Sequence, residues 1–273
     1  MNINDLQNKK KQGKKITMLT AYDYPSADLM DRAGIDIILV GDSLGMVVLG
    51  YESTLPVTMD EMIHHSKAVR RGIKNSFLVG DMPFSGCNKS IEDTLKNASR
   101  FIKEAGCDAV KIEGAGPMLD SIKAIIKAGI PVMGHLGLTP QTADKLGGFK
   151  VQGKDVESAR KIIEDAKLLE KIGVFSIILE CIPDELAKII TQKINIPTIG
   201  IGAGLYCDGQ VLVTNDLLGL FERFTPKFVK KYANLSKVML DAFKAYKDDV
   251  ENLRFPASEQ SFTMKKEEAE KLK

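Results

Sequence analysis

The chain has 273 residues, with 38 Lys plus Arg against 36 Asp plus Glu. The resulting formal net charge of +2 leaves no basic footprint for nucleic acid or an anionic membrane. Its 44% hydrophobic content suits a large globular core, and no apolar run approaches the roughly 20 residues of a membrane span. The polar start, MNINDLQNKKKQGKK, lacks the apolar centre of a secretory signal, so a cytoplasmic location is expected. Cys87, Cys107, Cys181 and Cys207 are scattered without a Cys-x-x-Cys pair, which argues against structural zinc or a disulfide framework. Cys107 and Cys181 adjoin apolar strands and read as buried small hydrophobes.

In chain order, residues 1–15 allow a short helix, and 16–21 are apolar and partly β-branched, a predicted strand. A helix follows over 24–33 and stops at Gly34. Residues 36–41 are the second strand, running into Asp42-Ser-Leu-Gly45. Thr58 with Glu61 makes a capping-box pattern for a helix over 59–72. The third strand, 77–80, ends in Asp81-Met-Pro83, and Ser90 with Asp93 opens a helix to about residue 105. The fourth strand is Asp108-Ala-Val-Lys-Ile-Glu-Gly114, in which Lys111 and Glu113 share one face. A helix over 117–128 starts at Pro117, and the fifth strand, 131–135, ends at His135. The loop 136–153 is a candidate lid by its length and glycines. Helix 154–172, strand 174–180, a helix from Pro183 to 193 and strand 196–201 come next. The eighth strand covers 210–214, a helix is predicted over 226–248, and 263–273 is a solvated Lys/Glu tail.

Short, near-continuous apolar strands that alternate with helices indicate a parallel sheet covered on both faces. Eight such units suggest one (β/α)8 TIM barrel over residues 1–262, with an open doubly wound sheet as the alternative. The dinucleotide fingerprint and the Gly-Lys-Ser/Thr phosphate loop are both missing.

In a barrel, the C-terminal strand ends converge on one mouth. That mouth collects Asp42, Ser43, Asp81, Lys111, Glu113, His135, Glu180 and Asp216. Crowded carboxylates repel unless a cation compensates, and Mg²⁺ with oxygen ligands is the simplest one. Asp42 and Asp81, each after a glycine at a strand end, are the candidate direct ligands; the plain alternative is a helix cap or turn residue. Glu113 joins them directly or through water. Lys111 either pairs with a substrate carboxylate or forms a Schiff base, and the surrounding carboxylates favour pairing. Glu180 closes an apolar strand and is either a general base or an ion-pair partner of Lys111. His135 is a substrate contact or a satisfied core histidine. Gly200, Gly202 and Gly204 cradle an anion or permit close packing, with packing favoured.

Nine stretches in order resemble the ketopantoate hydroxymethyltransferase family. They are Thr20-Ala-Tyr-Asp23, Val40-Gly-Asp-Ser-Leu-Gly45, Gly80-Asp-Met-Pro-Phe84, Val110-Lys-Ile-Glu-Gly114 and Gly134-His-Leu-Gly-Leu-Thr-Pro-Gln141. Leu179-Glu-Cys-Ile-Pro183, Ile199-Gly-Ile-Gly-Ala-Gly204, Asp208-Gly-Gln-Val-Leu-Val213 and Pro226-Lys-Phe-Val229 complete them. The resemblance implies a barrel of the phosphoenolpyruvate/pyruvate type, Mg²⁺ dependence and a homo-oligomer, commonly a decamer. It implies hydroxymethyl transfer from 5,10-methylenetetrahydrofolate to 3-methyl-2-oxobutanoate, through a Mg-stabilised enolate, toward pantothenate and coenzyme A. By the same resemblance Asp42, Asp81 and Glu113 belong to the metal site. Asp42, Ser43, Asp81 and Lys111 bind the 2-oxo acid, and Glu180 accepts the proton. Two stretches depart from the pattern: Val213-Thr-Asn-Asp216 and Glu259-Gln-Ser-Phe262 each lack an expected histidine.

Overall fold

Eight parallel strands close on themselves. In the computed structural model, which describes residues 1–87, 90–142 and 150–273, they begin with β1 (Ile16–Thr20), β2 (Ile37–Val40), β3 (Phe77–Asp81) and β4 (Ala109–Glu113). The circuit continues through β5 (Val132–Gly137), β6 (Ser176–Glu180), β7 (Thr198–Ile201) and β8 (Gly209–Leu212). Each strand pairs with its sequence neighbour, and β8 returns to β1 with Met18 opposite Val211. That last ladder excludes the open doubly wound sheet.

The helices are α1 (Ile3–Lys11), α2 (Tyr24–Arg32), α3 (Leu44–Val47), α4 (Met59–Gly72), α5 (Phe84–Cys87) and α6 (Ile91–Lys103). After them come α7 (Leu119–Lys127), α8 (Val156–Lys171), α9 (Asp184–Lys193), α10 (Thr214–Leu217), α11 (Leu235–Glu251) and α12 (Lys266–Glu270). The capping box predicted for α4 forms: Thr58 Oγ1 accepts the Glu61 N–H, and the Glu61 carboxylate accepts the Thr58 N–H at 2.7 Å.

Strand alternation divides the core in two. Ile37, Leu39, Phe77, Val79 and Met133 point inward and fill the barrel. Their neighbours Ile38, Val40, Leu78 and Val132 point outward against the helices. At the N-terminal end, α1 closes the barrel. Its Leu6 is fully buried in the inner cluster, worth about 2 kcal/mol of transfer free energy. Lys9 and Lys10 tie α1 to Asp36 at 2.6 Å and to Asp208 at 2.8 Å. A ligand therefore enters from the other mouth.

Three expectations change. The helix predicted over 226–248 is Leu235–Glu251 instead. Residues ahead of it run across the mouth, with Phe228 packed on the inner core. The Tyr232 N–H donates to the Leu217 carbonyl, so tertiary contacts override helical propensity there. The eighth strand stops at Leu212, because Thr214 turns into α10 and donates from its hydroxyl to the Thr20 carbonyl at 2.6 Å. Cys107 is buried as expected, but Cys181 is only half-buried and lines the open mouth. Of the proposed lid, residues 143–149 lie outside the described residues. No residue of α11 is buried, and its Val238, Leu240, Phe243 and Tyr246 are exposed.

Candidate active site

The alternation that fills the barrel also builds its mouth. Apart from Ser176, inward-facing positions along β3 to β6 are apolar until the mouth, where they become Asp81, Lys111, Glu113, His135 and Glu180. Asp81 stands opposite Lys111 in the ladder, and Glu113 opposite His135. Lys111 Nζ donates to both Asp81 oxygens at 2.8 Å and lies 3.5 Å from Glu113. His135 Nδ1 is 3.4 Å from Glu113 Oε1, and its Nε2 is 3.2 Å from Glu180 Oε2. Neither ring nitrogen is aligned for a hydrogen bond, and Glu113 Oε1 also lacks one. Charges of alternating sign thus run side by side across four strands.

Asp42 completes the cluster from the end of β2. Its N–H donates to Asp81 Oδ2 at 3.2 Å, and its own Oδ2 accepts from Gln141 Nε2 at 2.9 Å. Gln141 Nε2 also donates to the Met82 carbonyl, and the Gln141 N–H donates to Glu113 Oε2 at 3.1 Å. The carboxylates of Asp42 and Asp81 therefore face Gln141 and Lys111, not a helix terminus. Ser43 Oγ lies 2.8 Å from the Tyr22 hydroxyl. Among the described residues Glu180 pairs with His135, not with Lys111. Asp42, Ser43, Asp81, Lys111, Glu113, His135 and Glu180 all line one cavity of about 820 Å³.

Two backbone features hold Glu180 in place. Gly137 has a φ of +96°, and a Cβ there would lie 2.2 Å from the Glu180 carbonyl oxygen. Only glycine lets β5 pass so close, and the next residue, Leu138, donates to that same carbonyl at 2.9 Å. Cys181, directly after Glu180, sits at φ 47°, a costly position for a residue with a side chain. The glycines at 200–204 are explained by packing: a Cβ at Gly202 would meet Phe228 at 2.7 Å, and one at Gly204 would meet Asp184 at 2.3 Å.

The electrostatics show an excess of negative charge. Burial and the neighbouring Asp81 carboxylate push Asp42 well above the usual carboxylate range. Burial also raises Asp81, against the pull of Lys111. Burial opposes the charge on Lys111, but Asp81, Glu113 and Asp42 outweigh it and raise its pKa. Burial would raise Glu113 as well, yet Lys111 and His135 hold it low. Burial and Lys111 oppose protonation of His135, whereas Glu113 and Glu180 carry it up to about 9. Two buried aspartates pushed toward their neutral forms, with an orphaned Glu113 oxygen beside them, form a hard-oxygen donor set short of positive charge. That chemistry suits a divalent cation. Among the described residues no three acidic, imidazole or thiol groups already stand in ligand geometry, and Lys111 is paired with Asp81.

Sequence reasoning missed Gln141 and Tyr22 as site residues. Both lie inside stretches that carried the family resemblance, but nothing in their spacing marks a role; folding brings them to Asp42 and Ser43.

Fold and site together define a TIM-barrel enzyme with its chemistry at the C-terminal mouth. Among solved structures, phosphoenolpyruvate phosphomutase from Streptomyces platensis subsp. rosaceus shares the fold, with a TM-score of 0.62 and 14% identity, covering 97% of this chain and 92% of that one. The family described as ketopantoate hydroxymethyltransferase matches residues 1–258. The 3-methyl-2-oxobutanoate hydroxymethyltransferase of Syntrophomonas wolfei is 59% identical over 270 residues, 99% of this chain and 98% of the relative. Its counterpart from a Thermoanaerobacter species is 58% identical over 259 residues, 95% and 94% of the two chains. The chain belongs to the ketopantoate hydroxymethyltransferase family, and it is a transferase.

Proposed function

We propose that this enzyme transfers a hydroxymethyl group from 5,10-methylenetetrahydrofolate to 3-methyl-2-oxobutanoate, giving 2-dehydropantoate, early in pantothenate and coenzyme A synthesis. The observation that carries this reading is the placing of a partly exposed carboxylate, Glu180, in one cavity with the buried Asp42–Asp81–Lys111 cluster. A base beside a charged anchor is what abstraction of a proton next to a keto group requires.

Asp42 and Asp81, with Glu113 beside them, would hold Mg²⁺. Bound there, the metal supplies Lewis-acid stabilisation of negative charge on the keto oxygen. Asp42 and Asp81 thereby also contact the substrate's end of the cavity. Lys111 neutralises the substrate carboxylate, and Ser43, steadied by Tyr22, orients it. Glu180 takes the C3 proton, leaving an enolate whose carbon attacks the methylene carbon of the donor. Both C–N bonds of that methylene carbon break, water supplies the hydroxyl of the product, and the freed nitrogens take the proton held by Glu180 and one from water as tetrahydrofolate leaves. His135, 3.2 Å from Glu180, holds the base toward the cavity.

Residues 1–262 form the catalytic barrel domain in this reading, and 263–273 the charged tail. The exposed apolar residues of α11 support a homo-oligomer, for which we take a decamer. No helix among the described residues is long and apolar enough to cross a membrane, in keeping with a cytoplasmic enzyme.

A paired assay of ketopantoate formation with and without Mg²⁺ tests the reaction. A Glu180→Gln variant should lose exchange of the substrate C3 hydrogen with deuterated water by about 10²-fold or more. Wild-type exchange in that variant would remove Glu180 from the role, and full activity after exhaustive chelation would remove the metal.

A further inference from the structure

The cavity is larger than its charged end needs. At about 820 Å³ it falls in the upper part of the range that holds drug-sized ligands. A branched-chain 2-oxo acid fills a small fraction of that space. Away from the Asp42–Glu180 cluster the wall changes character. It is formed by Val213, Phe221, Phe224 and Phe228, with Phe221 and Phe224 edge to face at 5.7 Å.

Besides Glu52, which pairs with Arg223 at 3.3 Å, the cavity has one further carboxylate outside that cluster, Asp216, on α10. The residue is 9% exposed. Its backbone N–H is used, donating to the Val213 carbonyl at 3.1 Å. Its carboxylate has no hydrogen-bond or ion-pair partner among the described residues. Burial pushes the group up to about 6, opposed only by the charge of Lys231. Its oxygens open on the cavity, where no protein donor meets them among the described residues. No step of the reaction above uses it, so its donors are to be sought in a ligand.

The donor of the one-carbon unit has the chemistry that is missing. The pyrimidinone half of its reduced pterin is flat with apolar faces, and its edge presents a ring N–H beside an exocyclic amine. Two parallel N–H groups match a carboxylate bidentately, as a guanidinium does. Aromatic side chains suit the ring faces. We propose that the Asp216 end of the cavity is the subsite for the pterin ring of the one-carbon donor. The Asp216 carboxylate accepts from the 2-amino-lactam edge, and Phe221, Phe224 and Phe228 flank the ring. Lys227, exposed on the same cavity wall, faces the anionic glutamyl end. This subsite rests on methylenetetrahydrofolate being the donor.

The test separates the two reactants. Asp216→Asn keeps the side chain's shape but turns one acceptor into a donor, and Phe224→Ala trims a half-exposed ring. Tetrahydrofolate binding is measured by calorimetry, donor KM by steady-state kinetics, and 2-oxo acid activation by C3 hydrogen exchange without folate. Asp216→Asn should weaken tetrahydrofolate binding and raise donor KM by roughly 10- to 100-fold, as loss of a charged hydrogen-bonded pair does. Phe224→Ala should weaken both several-fold. The folate-free exchange rate should fall less than tetrahydrofolate affinity in both variants, since Asp216 reaches the 2-oxo acid end only through its charge near Tyr22. Unchanged tetrahydrofolate affinity in a folded Asp216→Asn protein overturns the subsite. So does an equal loss of exchange, which would place Asp216 with the 2-oxo acid. If Asp216→Asn does not fold, unchanged tetrahydrofolate affinity in Phe224→Ala overturns it instead. A wild-type enzyme that exchanges the C3 hydrogen but neither binds tetrahydrofolate nor turns over the methylene donor overturns the donor assignment itself.

Discussion

Lys111 reaches both oxygens of Asp81 at 2.8 Å, and the two residues are direct partners in the β3–β4 ladder. Removing the ammonium leaves Asp81 and Glu113 buried without their cation. Breaking a buried pair from one side costs about 3–5 kcal/mol. Lys111→Ala should therefore lower thermal stability in chelator and recover more of it with Mg²⁺ than wild type does. It should also mainly weaken 2-oxo acid binding, whereas Glu113→Ala should mainly raise the Mg²⁺ requirement. Melting curves with and without Mg²⁺, plus titrations of metal and substrate, check this; identical metal titrations for the two variants would defeat the division of labour.

Gln141 is a positioning residue for the proposed metal ligands, since it holds Asp42 through its side chain and Glu113 through its backbone. Groups that orient ligands in this way are worth about 10- to 100-fold in metal affinity. Gln141→Leu should weaken Mg²⁺ binding by that factor in calorimetry while leaving the backbone contact to Glu113. A dissociation constant equal to wild type would show that Asp42 needs no such support.

Gly137 should tolerate nothing larger. A methyl group there would sit 2.2 Å from the Glu180 carbonyl oxygen, on a backbone with φ +96°. Gly137→Ala is expected to cost about 2–4 kcal/mol, through strain and displacement of the end of β6. Because that end carries Glu180, C3 exchange should fall more than 2-oxo acid affinity. Normal exchange in a stable variant would show that the base is held by His135 alone.

Asp31 makes a prediction about acid stability, remote from the site. Burial would raise its pKa, but the Ser76 and Asn75 N–H groups and the Ser76 hydroxyl outweigh it and lower the group to about 2. A depressed carboxylate stabilises the fold fully above its ordinary pKa of 3.8 and loses that contribution as pH falls toward about 2. Asp31→Asn should lower stability near neutrality by about 2 kcal/mol and flatten the stability curve over that acidic window. Denaturation at pH 7 and at pH 3 measures both; parallel curves for variant and wild type would exclude the linkage.

Much of this fold was legible because strand alternation and helix punctuation are local. Residues 77–81 and 109–113 read as buried strands from their own side chains, and α4 announced its start through Thr58 and Glu61. The helix expected from 226 failed for a reason no local pattern carries: Phe228 is drawn onto the inner core, and Tyr232 is bonded to Leu217 across the mouth. Cys181 was misjudged likewise, since its exposure depends on where the barrel opens.

Period-two spacing was enough to put Lys111 and Glu113 on one face, and the row of polar residues at successive strand ends was enough to call for a shared mouth. Those are properties of single strands. Barrel closure through β1 and β8, the bidentate grip of Lys111 on Asp81, the bridge of His135 between Glu113 and Glu180, and the reach of Gln141 to Asp42 all join residues far apart in the chain. They depend on strand register and on where each loop lands, which are set by the packing of all eight strands together. Asp216 is the clearest case: in the string it is one acid beside an asparagine, and only the fold sets it, 9% exposed, in the same cavity as Phe221, Phe224 and Phe228.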